Sequence, residues 1–561
     1  MHLFVWITGF LLGALASPTP QDSALTLEKR AACSGNDASD RSVWCDYDTS
    51  TDYYNEVVDT GETVEYWFDL TNTTAAPDGV SRNVLLINGS LPGPTIEANW
   101  GDTVIVHVSN NLQNNGTGIH WHGIRQNWTV QNDGVPSITQ CPIAPGESMT
   151  YTWKATQYGT TWYHSHFALQ AWEGIFGPIV IHGPATANYD EEIGPIMLND
   201  WSHETCDALY EHAQSVGPPT LDNGLINGVN TWEDGGSRYE TIVSSGSSYL
   251  MRIVNAAIDT HFRFTIDNHT MTVIATDLVP IVPYETDILS LTMGQRYDVI
   301  VSADQVEDDY WIRAIPMADC SENDSTDNIR GILRYDSSST ADPTSSAYDI
   351  NSTACIDEDS SNLVPYLSQT VGSGSDTDLP VTIGTVDNVF KWYISAVSMD
   401  VAWNNPTLLQ VSEGVTENFT SSQAIVELTE ADEWYYFVIE TTQGVPHPMH
   451  LHGHDFSILA SDDDASYDDS VTLNLDNPPR RDVVTLPGSG YVVIAFKSDN
   501  PGAWLMHCHI GWHTSEGLDM QFVERPDEIA ALIDSTVMNN TCAAWDIYAA
   551  ADDIVQDDSG V

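Results

Sequence analysis

Eleven of the 18 histidines in this chain fall in four short segments. They are His120-Trp121-His122, His164-Ser165-His166, the run from His447 through His450 and His452 to His454, and, near the C-terminus, HCHIGWH from His507 to His513. Scattered histidines are ordinarily surface groups or satisfied core residues, but four clusters in one chain need another explanation. On a strand, residues i and i+2 share one face and i+1 takes the other. Each His-x-His therefore aims two imidazoles the same way. Eight imidazoles meeting at a domain interface would repel one another if protonated and lack partners if neutral; metal ions remove both problems. In His507-Cys508-His509 the cysteine points away from its flanking histidines, so it serves a different site. A thiolate with two imidazoles is a blue-copper donor set, and His447 and His513 are the natural partners of Cys508. Structural zinc usually takes four protein ligands, often from Cys-x-x-Cys pairs, and this chain has no such pair. The tripeptide is then a short covalent bridge between a one-electron centre and a histidine-rich cluster.

Strands must position these groups, and the sequence predicts them. Three stretches share a frame: PGESMTYTWKATQYGTTWYHSH from Pro145, MGQRYDVIVSADQVEDDYWIRA from Met293, and PGSGYVVIAFKSDNPGAWLMHCH from Pro487. In each, a glycine opens an alternating or apolar strand, a polar turn follows, and an aromatic stands sixteen residues after the glycine: Gly146/Trp162, Gly294/Tyr310 and Gly488/Trp504. A β unit repeated at intervals of well over a hundred residues implies related domains. The middle copy reads Trp311-Ile312-Arg313-Ala314 where the others carry histidines. Further strands are expected at 103–108, 179–181, 250–254 and 434–439, and many short strands with Gly/Pro turns indicate all-β sandwiches or barrels. One helix is predicted near the C-terminus, starting at Pro526-Asp527, with Ile529, Leu532, Ile533 and Val537 on its apolar face. Domain boundaries are expected near Gly183-Pro184 and in the Ser/Asp/Thr-rich stretch around 336–380, giving domains 31–183, 184–363 and 364–561.

The chain has 561 residues, too many for one hydrophobic core. Its first residues, MHLFVWITGFLLGALAS, form a short apolar run ending in Ala14-Leu15-Ala16, the pattern of a secretory signal over 1–16. Lys29-Arg30 then marks a propeptide over 17–30. Nine Asn-x-Ser/Thr sequons follow, at Asn72, Asn88, Asn115, Asn127, Asn268, Asn323, Asn351, Asn418 and Asn539. They point to an N-glycosylated, extracellular protein. Eight cysteines are too few for a disulfide scaffold, though secretion favours pairing of those not otherwise used. The 80 acidic residues outnumber the 18 basic ones, for a net charge of −62. Such a polyanion is repelled by nucleic acid and anionic membranes, and no later stretch is apolar enough to span a bilayer. The acidic coat keeps a secreted protein soluble; adaptation to acid or salt is the sharper reading, since either removes the self-repulsion.

HWHG, YHSH, HPMHLHGH and HCHIGWH resemble the four copper motifs of the multicopper oxidases, and among them the ascomycete-type laccases. The resemblance extends through NWGDTV, LINGVN, NHTMTVIATDLVP, NPPRRDV and NPGAWLMHCH, over essentially the whole mature chain. It implies three consecutive cupredoxin-like domains and four copper ions. Type 1 copper would lie on His447, Cys508 and His513, and type 2 on His120 and His450. The type 3 pair would lie on His122, His164 and His509, and on His166, His452 and His507. His454 is left over as a supporting residue. Leu518 matches the axial position beside type 1 copper; a side chain that cannot coordinate should raise the potential. By the same resemblance Asp222 is the acid of a phenol pocket beside His513, and Asp133 a carboxylate near type 2 copper that relays protons. The implied disulfides are Cys33–Cys45, Cys141–Cys542 and Cys320–Cys355, leaving Cys206 free. The terminal Asp558-Ser559-Gly560-Val561 resembles the laccase plug, with Val561 where the family usually ends in leucine. Glu516 stands where related enzymes often carry a small residue. The expected activity is oxidation of small phenols and aromatic amines, such as lignin phenols or melanin precursors, coupled to reduction of O2 to water by a secreted monomer. A ferroxidase and a non-catalytic copper carrier are the alternatives.

Overall fold

The computed structural model describes residues 34–561 apart from 57, 336, 337 and 416. The expected signal, propeptide and Cys33 lie outside the described residues. Strands dominate, and the larger sheets fall into three consecutive pairs: two of four strands, then six with five, then six with five. In the first pair Leu70, Val104, Val106 and Trp153 from one sheet meet Ile96, Ile119, Tyr163 and Ile179 from the other in one buried cluster. This alternation of buried and open positions is what the period-two pattern dictates. Among the described residues no helix is long and apolar enough to cross a membrane.

The elements that matter for the site run as follows. The first pair contains β1 (Thr63–Ala75), β2 (Arg82–Ile87), β3 (Ile119–His122), β4 (Ser148–Lys154) and β5 (Gly159–Ser165). Helix α1 (Cys206–Ala213) precedes β6 (Arg296–Ser302) and β7 (Asp309–Pro316) of the second. The third contains β8 (Val389–Ile394), β9 (His447–Leu451), β10 (Tyr491–Lys497), β11 (Gly502–Cys508), α2 (Gly511–Ser515) and β12 (Asp519–Glu524), followed by α3 (Ser535–Ala551). The threefold sequence repeat is the pair β4/β5, β6/β7 and β10/β11. In each copy the first strand belongs to one sheet and the second to its partner sheet, so the polar turn is a corner between sheets. The aromatics sixteen residues after each glycine, Trp162, Tyr310 and Trp504, are all buried.

The C-terminal helix departs from expectation. A short helix over Pro526–Ile529 passes into a single 3-10 turn over Ala530–Leu532 and stops. Asp534, with extended backbone, then starts α3 by accepting hydrogen bonds from the amides of Thr536 and Val537. A side-chain acceptor at this position satisfies amides that would otherwise lack partners, so it favours a fresh helix start over continuation. Val537 is consequently exposed, and α3 buries Met538, Cys542 and Trp545 instead. The Cys141–Cys542 disulfide fastens α3 to the first sheet pair across 401 residues of sequence, and Cys320–Cys355 is also formed. Cys45 is disulfide-bonded, and Cys206 is a buried free thiol.

Candidate metal centre

Strand register brings the histidine segments together. His120 on β3 lies opposite His164 on β5. His450 on β9 lies opposite His507 on β11, and Met449 lies opposite Cys508. Alternation then sorts the chemistry: His450 and His507 face one side, Met449 and Cys508 the other. The two ends of the chain meet on the first side. The rings of His120 and His452 stack with centroids 3.8 Å apart, as do His122 and His450. His166 and His507 are 5.1 Å apart, as are His122 and His509.

Most of these rings are held by one nitrogen. The Nδ1 atoms of His120 and His450 lie 2.9 and 2.8 Å from the carbonyl oxygens of Asp133 and Asp482. Those of His164 and His507 lie 2.9 Å from the carbonyls of Ser165 and Cys508. His452 Nδ1 lies 2.9 Å from the Asp133 carboxylate, and His122 Nε2 lies 3.2 Å from that of Asp482. Each of the eight imidazoles keeps at least one buried ring nitrogen with no hydrogen-bond partner. Burial pushes protonation of His122, His164, His166, His450, His452 and His509 well below the ordinary range, and that of His507 down to about 4. Neutral, desolvated lone pairs left unpaired cost about 1–3 kcal/mol each. A set of metal ions satisfies them, and oxygen anchors on the far nitrogen are the usual support for metal-bound histidine.

On the opposite face of β11, His447 Nδ1 and His513 Nδ1 lie 3.2 Å apart, and each lies within 3.7 Å of Cys508 Sγ. The three donors converge on one buried point. Burial pushes protonation of His447 down to about 3 and holds the Cys508 thiol well above its usual range. The thiol therefore ionises only for a bound cation. Leu518 is fully buried, and its backbone is tied to the triad: its carbonyl accepts the Cys508 amide at 3.0 Å and its amide donates to the His513 carbonyl at 3.0 Å. The Trp392 ring of β8 packs at 4.6 Å from His447 and 4.5 Å from His513.

Profiles of the multicopper oxidase family match residues 69–186, 192–338 and 400–528. The chain is 47% identical to Laccase-2 of Botryotinia fuckeliana, over 100% of this chain and 98% of that protein. The chain belongs to the multicopper oxidase family. Among solved structures, the laccase from Botrytis aclada superposes with a TM-score of 0.91 at 48% identity, covering 94% of this chain and 100% of the other. A multicopper oxidase that functions in iron import superposes at 0.77 with 27% identity, over 89% of this chain and 97% of that one. Sequence relatives and fold together make this a laccase-type member, and they imply copper at the clusters described above.

Other expected multicopper oxidase residues are placed as follows. Asp133 is fully buried, with Oδ2 on His452 and Oδ1 3.2 Å from His120 Nδ1. Asp222 accepts hydrogen bonds from Ser202 Oγ and the His203 amide, and among the described residues none of its hydrogen bonds or ion pairs is with the His447–Cys508–His513 triad. His454 pairs with Glu524 at 3.0 Å, leaving the cluster to the other histidines. Glu516 is buried, and burial pushes its carboxyl up to about 8, so it is neutral at the pH where a surface glutamate is charged. The terminal Val561 walls a cavity of about 20 Å³ together with His164, His166, His507 and His509. Ser559 holds the tail there, its amide donating to the Ser515 carbonyl and its own carbonyl accepting from the Val401 amide. One sequon, Asn323, is buried with its amide donating to the Asn223 carbonyl.

Two further acids escape the sequence reading. Asp482 carries two clustered histidines and is gripped by Arg296 from the middle sheets through two hydrogen bonds of 2.5 and 2.6 Å. It stands in the NPPRRDV motif, which is the available signal. Asp259 lies on the loop after the second domain's strand Ser248–Asn255, a loop whose Ile258 carbonyl accepts the Gly511 amide of α2 at 3.0 Å. Burial and the neighbouring Asp200 push the Asp259 carboxyl up to about 8. Nothing local in the sequence marks it among 80 acids.

Proposed function

We propose that this chain is a secreted laccase that oxidises small phenols and aromatic amines and delivers their electrons to O2, forming water. His447, Cys508 and His513 would hold one copper, His120 and His450 a second, and the two triads His122/His164/His509 and His166/His452/His507 the remaining two. Bound copper supplies one-electron oxidation at the cysteine centre and four-electron reduction of O2 at the histidine cluster. The observation that carries the reading is the two-faced strand β11: Cys508 belongs to one site while His507 and His509 belong to the other. That arrangement joins a single-electron donor to a multi-electron acceptor through a few bonds; a simple electron carrier has no use for it.

The protein groups then manage protons and access. Phenol oxidation releases a proton near His513. Asp222 is one acceptor, on the family resemblance. Asp259 lies on the loop that docks on α2, and with its carboxyl pushed up to about 8 it is protonated below that pH and accepts a phenolic proton only once ionised. Asp133 and Asp482 hold the cluster's imidazoles and stand ready to deliver protons to reduced oxygen. Val561 limits what reaches the histidines to small molecules. The iron-import relative raises ferroxidase activity as a second reading. Glu516 speaks against it, because a neutral carboxyl is a poor iron ligand. Oxygen uptake with a panel of phenols, with Fe(II), and with the Cys508→Ser variant tests the proposal. Faster turnover of Fe(II) than of every phenol, or phenol oxidation that survives Cys508→Ser, would refute it.

A further inference from the structure

A cleft beside the segment that follows His166 has an unusual lining. Its volume is about 640 Å³, within the range that encloses small ligands. Strand β1 explains why it exists. Phe68 and Leu70 send their side chains into the core, and the same face then continues to Asn72 and Thr74, which are polar. Across the sheet, Asn72 is opposite Leu85 and Thr74 opposite Asn83 on β2. The sandwich therefore opens at this end instead of closing. The facing wall is the 113–115 loop, the segment around Phe167 and Gln170, and Thr205 just before α1.

The surface of this protein is crowded with 80 acidic residues, yet amides and hydroxyls dominate here. Of the two acids in the wall, Glu173 is neutralised by Arg82 at 2.5 Å. Neutral amides and hydroxyls are the chemistry that recognises an uncharged saccharide. Asn72 is itself the acceptor of a sequon, Asn72-Thr73-Thr74. Its Oδ1 accepts the Gln113 amide at 2.7 Å, which orients the side-chain amide and leaves Nδ2, the atom that carries an N-glycan, without a hydrogen-bond partner among the described residues. Asn115 places a second sequon on the opposite wall.

We propose that this cleft is a saccharide site filled by the protein's own N-glycan, attached at Asn72. The core sugars lie between β1/β2 and the Phe167–Gln170 segment, and so brace the segment that follows His164 and His166. The inference rests on passage through the secretory pathway and is independent of the oxidase reading.

The test uses the full chain secreted from a eukaryotic host. Glycopeptide mass spectrometry reads occupancy at Asn72. Endoglycosidase release is then timed on the folded and the denatured protein, with exposed Asn268 as internal control. The expected result is an occupied Asn72 whose release from the folded protein is at least about tenfold slower than that of Asn268, as a local opening cost of about 1.4 kcal/mol would give. Thr74→Ala removes the sequon, and that variant should take up N,N′-diacetylchitobiose in calorimetry while the glycosylated wild type does not. Thr74→Ser keeps the sequon and should behave as wild type. An unoccupied Asn72, or release as fast as from Asn268, overturns the proposal. Uptake of cellobiose or diacetylchitobiose by the glycosylated wild type also overturns it, because the cleft would then serve external sugar.

Discussion

Asp133→Asn tests the support of one imidazole, His452, above all. The carboxylate accepts from His452 Nδ1 at 2.9 Å, while the Asp133 carbonyl accepts from His120 Nδ1 at 2.9 Å. The substitution leaves the carbonyl in place, so His120 keeps its orientation. An asparagine oxygen can still accept, but without charge, and its NH2 end cannot accept at all. The loss therefore falls chiefly on His452, with a smaller electrostatic loss at His120, whose Nδ1 lies 3.2 Å from Oδ1. A hydrogen bond to a charged group contributes about 1.5–3 kcal/mol, which is about 10–100-fold in an equilibrium constant. Supporting partners of metal ligands show losses of the same size. Copper retention against a graded series of chelator concentrations should fall by that factor for the histidine cluster. The His447–Cys508–His513 site, on the other face of β11, should keep its thiolate absorption, providing a control within the same molecule. Unchanged chelator resistance would refute the assignment of Asp133 as an anchor, and loss of both sites together would show general unfolding.

Other consequences follow from the same structure. Leu518→Met places a donor beside the cysteine centre and should lower its reduction potential, read by redox titration of the thiolate absorption. Buried Glu516, Asp259 and Asp558 have carboxyls pushed up to about 8, about 8 and about 7. The folded state then binds more protons than the unfolded state, so this contribution is fully present below the unfolded carboxyl range and fades as pH rises towards 8. Resistance to unfolding should fall from pH 5 to pH 8, less steeply in Glu516→Gln. The buried histidines have the opposite sign, because the unfolded state takes up their protons as pH falls below about 6.5. Metal-stripped protein should therefore lose stability on acidification well before the copper-loaded protein, as thermal inactivation of both forms would show. Cys542→Ala releases α3 and should cost about 2–5 kcal/mol. Unfolding of a protein this size is usually irreversible, so the readout is half-life at elevated temperature.

The pattern of residues alone determined the fold class and the metal-binding segments. Strand alternation is local: two residues apart means one face, whatever the rest of the chain does. His507-Cys508-His509 therefore specifies two sites on two faces without reference to any partner. Repetition of the glycine-to-aromatic frame likewise specifies related β units. Capping chemistry is local too, yet hydrophobic periodicity hides it at Asp534, where a helix pattern continuous in hydrophobicity is interrupted by a side chain that starts a new helix.

What only the tertiary structure decided were contacts between residues far apart in sequence. His120 meets His452 because two sheet pairs at opposite ends of the chain pack together. Asp482 matters because Arg296 reaches it from the middle domain. Asp259 gains a raised carboxyl only when its loop is buried beside Asp200 and docks on α2. In sequence each of these acids looks like any other in a strongly acidic chain. Their roles come from desolvation and from the partners that packing supplies, and neither quantity is encoded in the spacing of nearby residues.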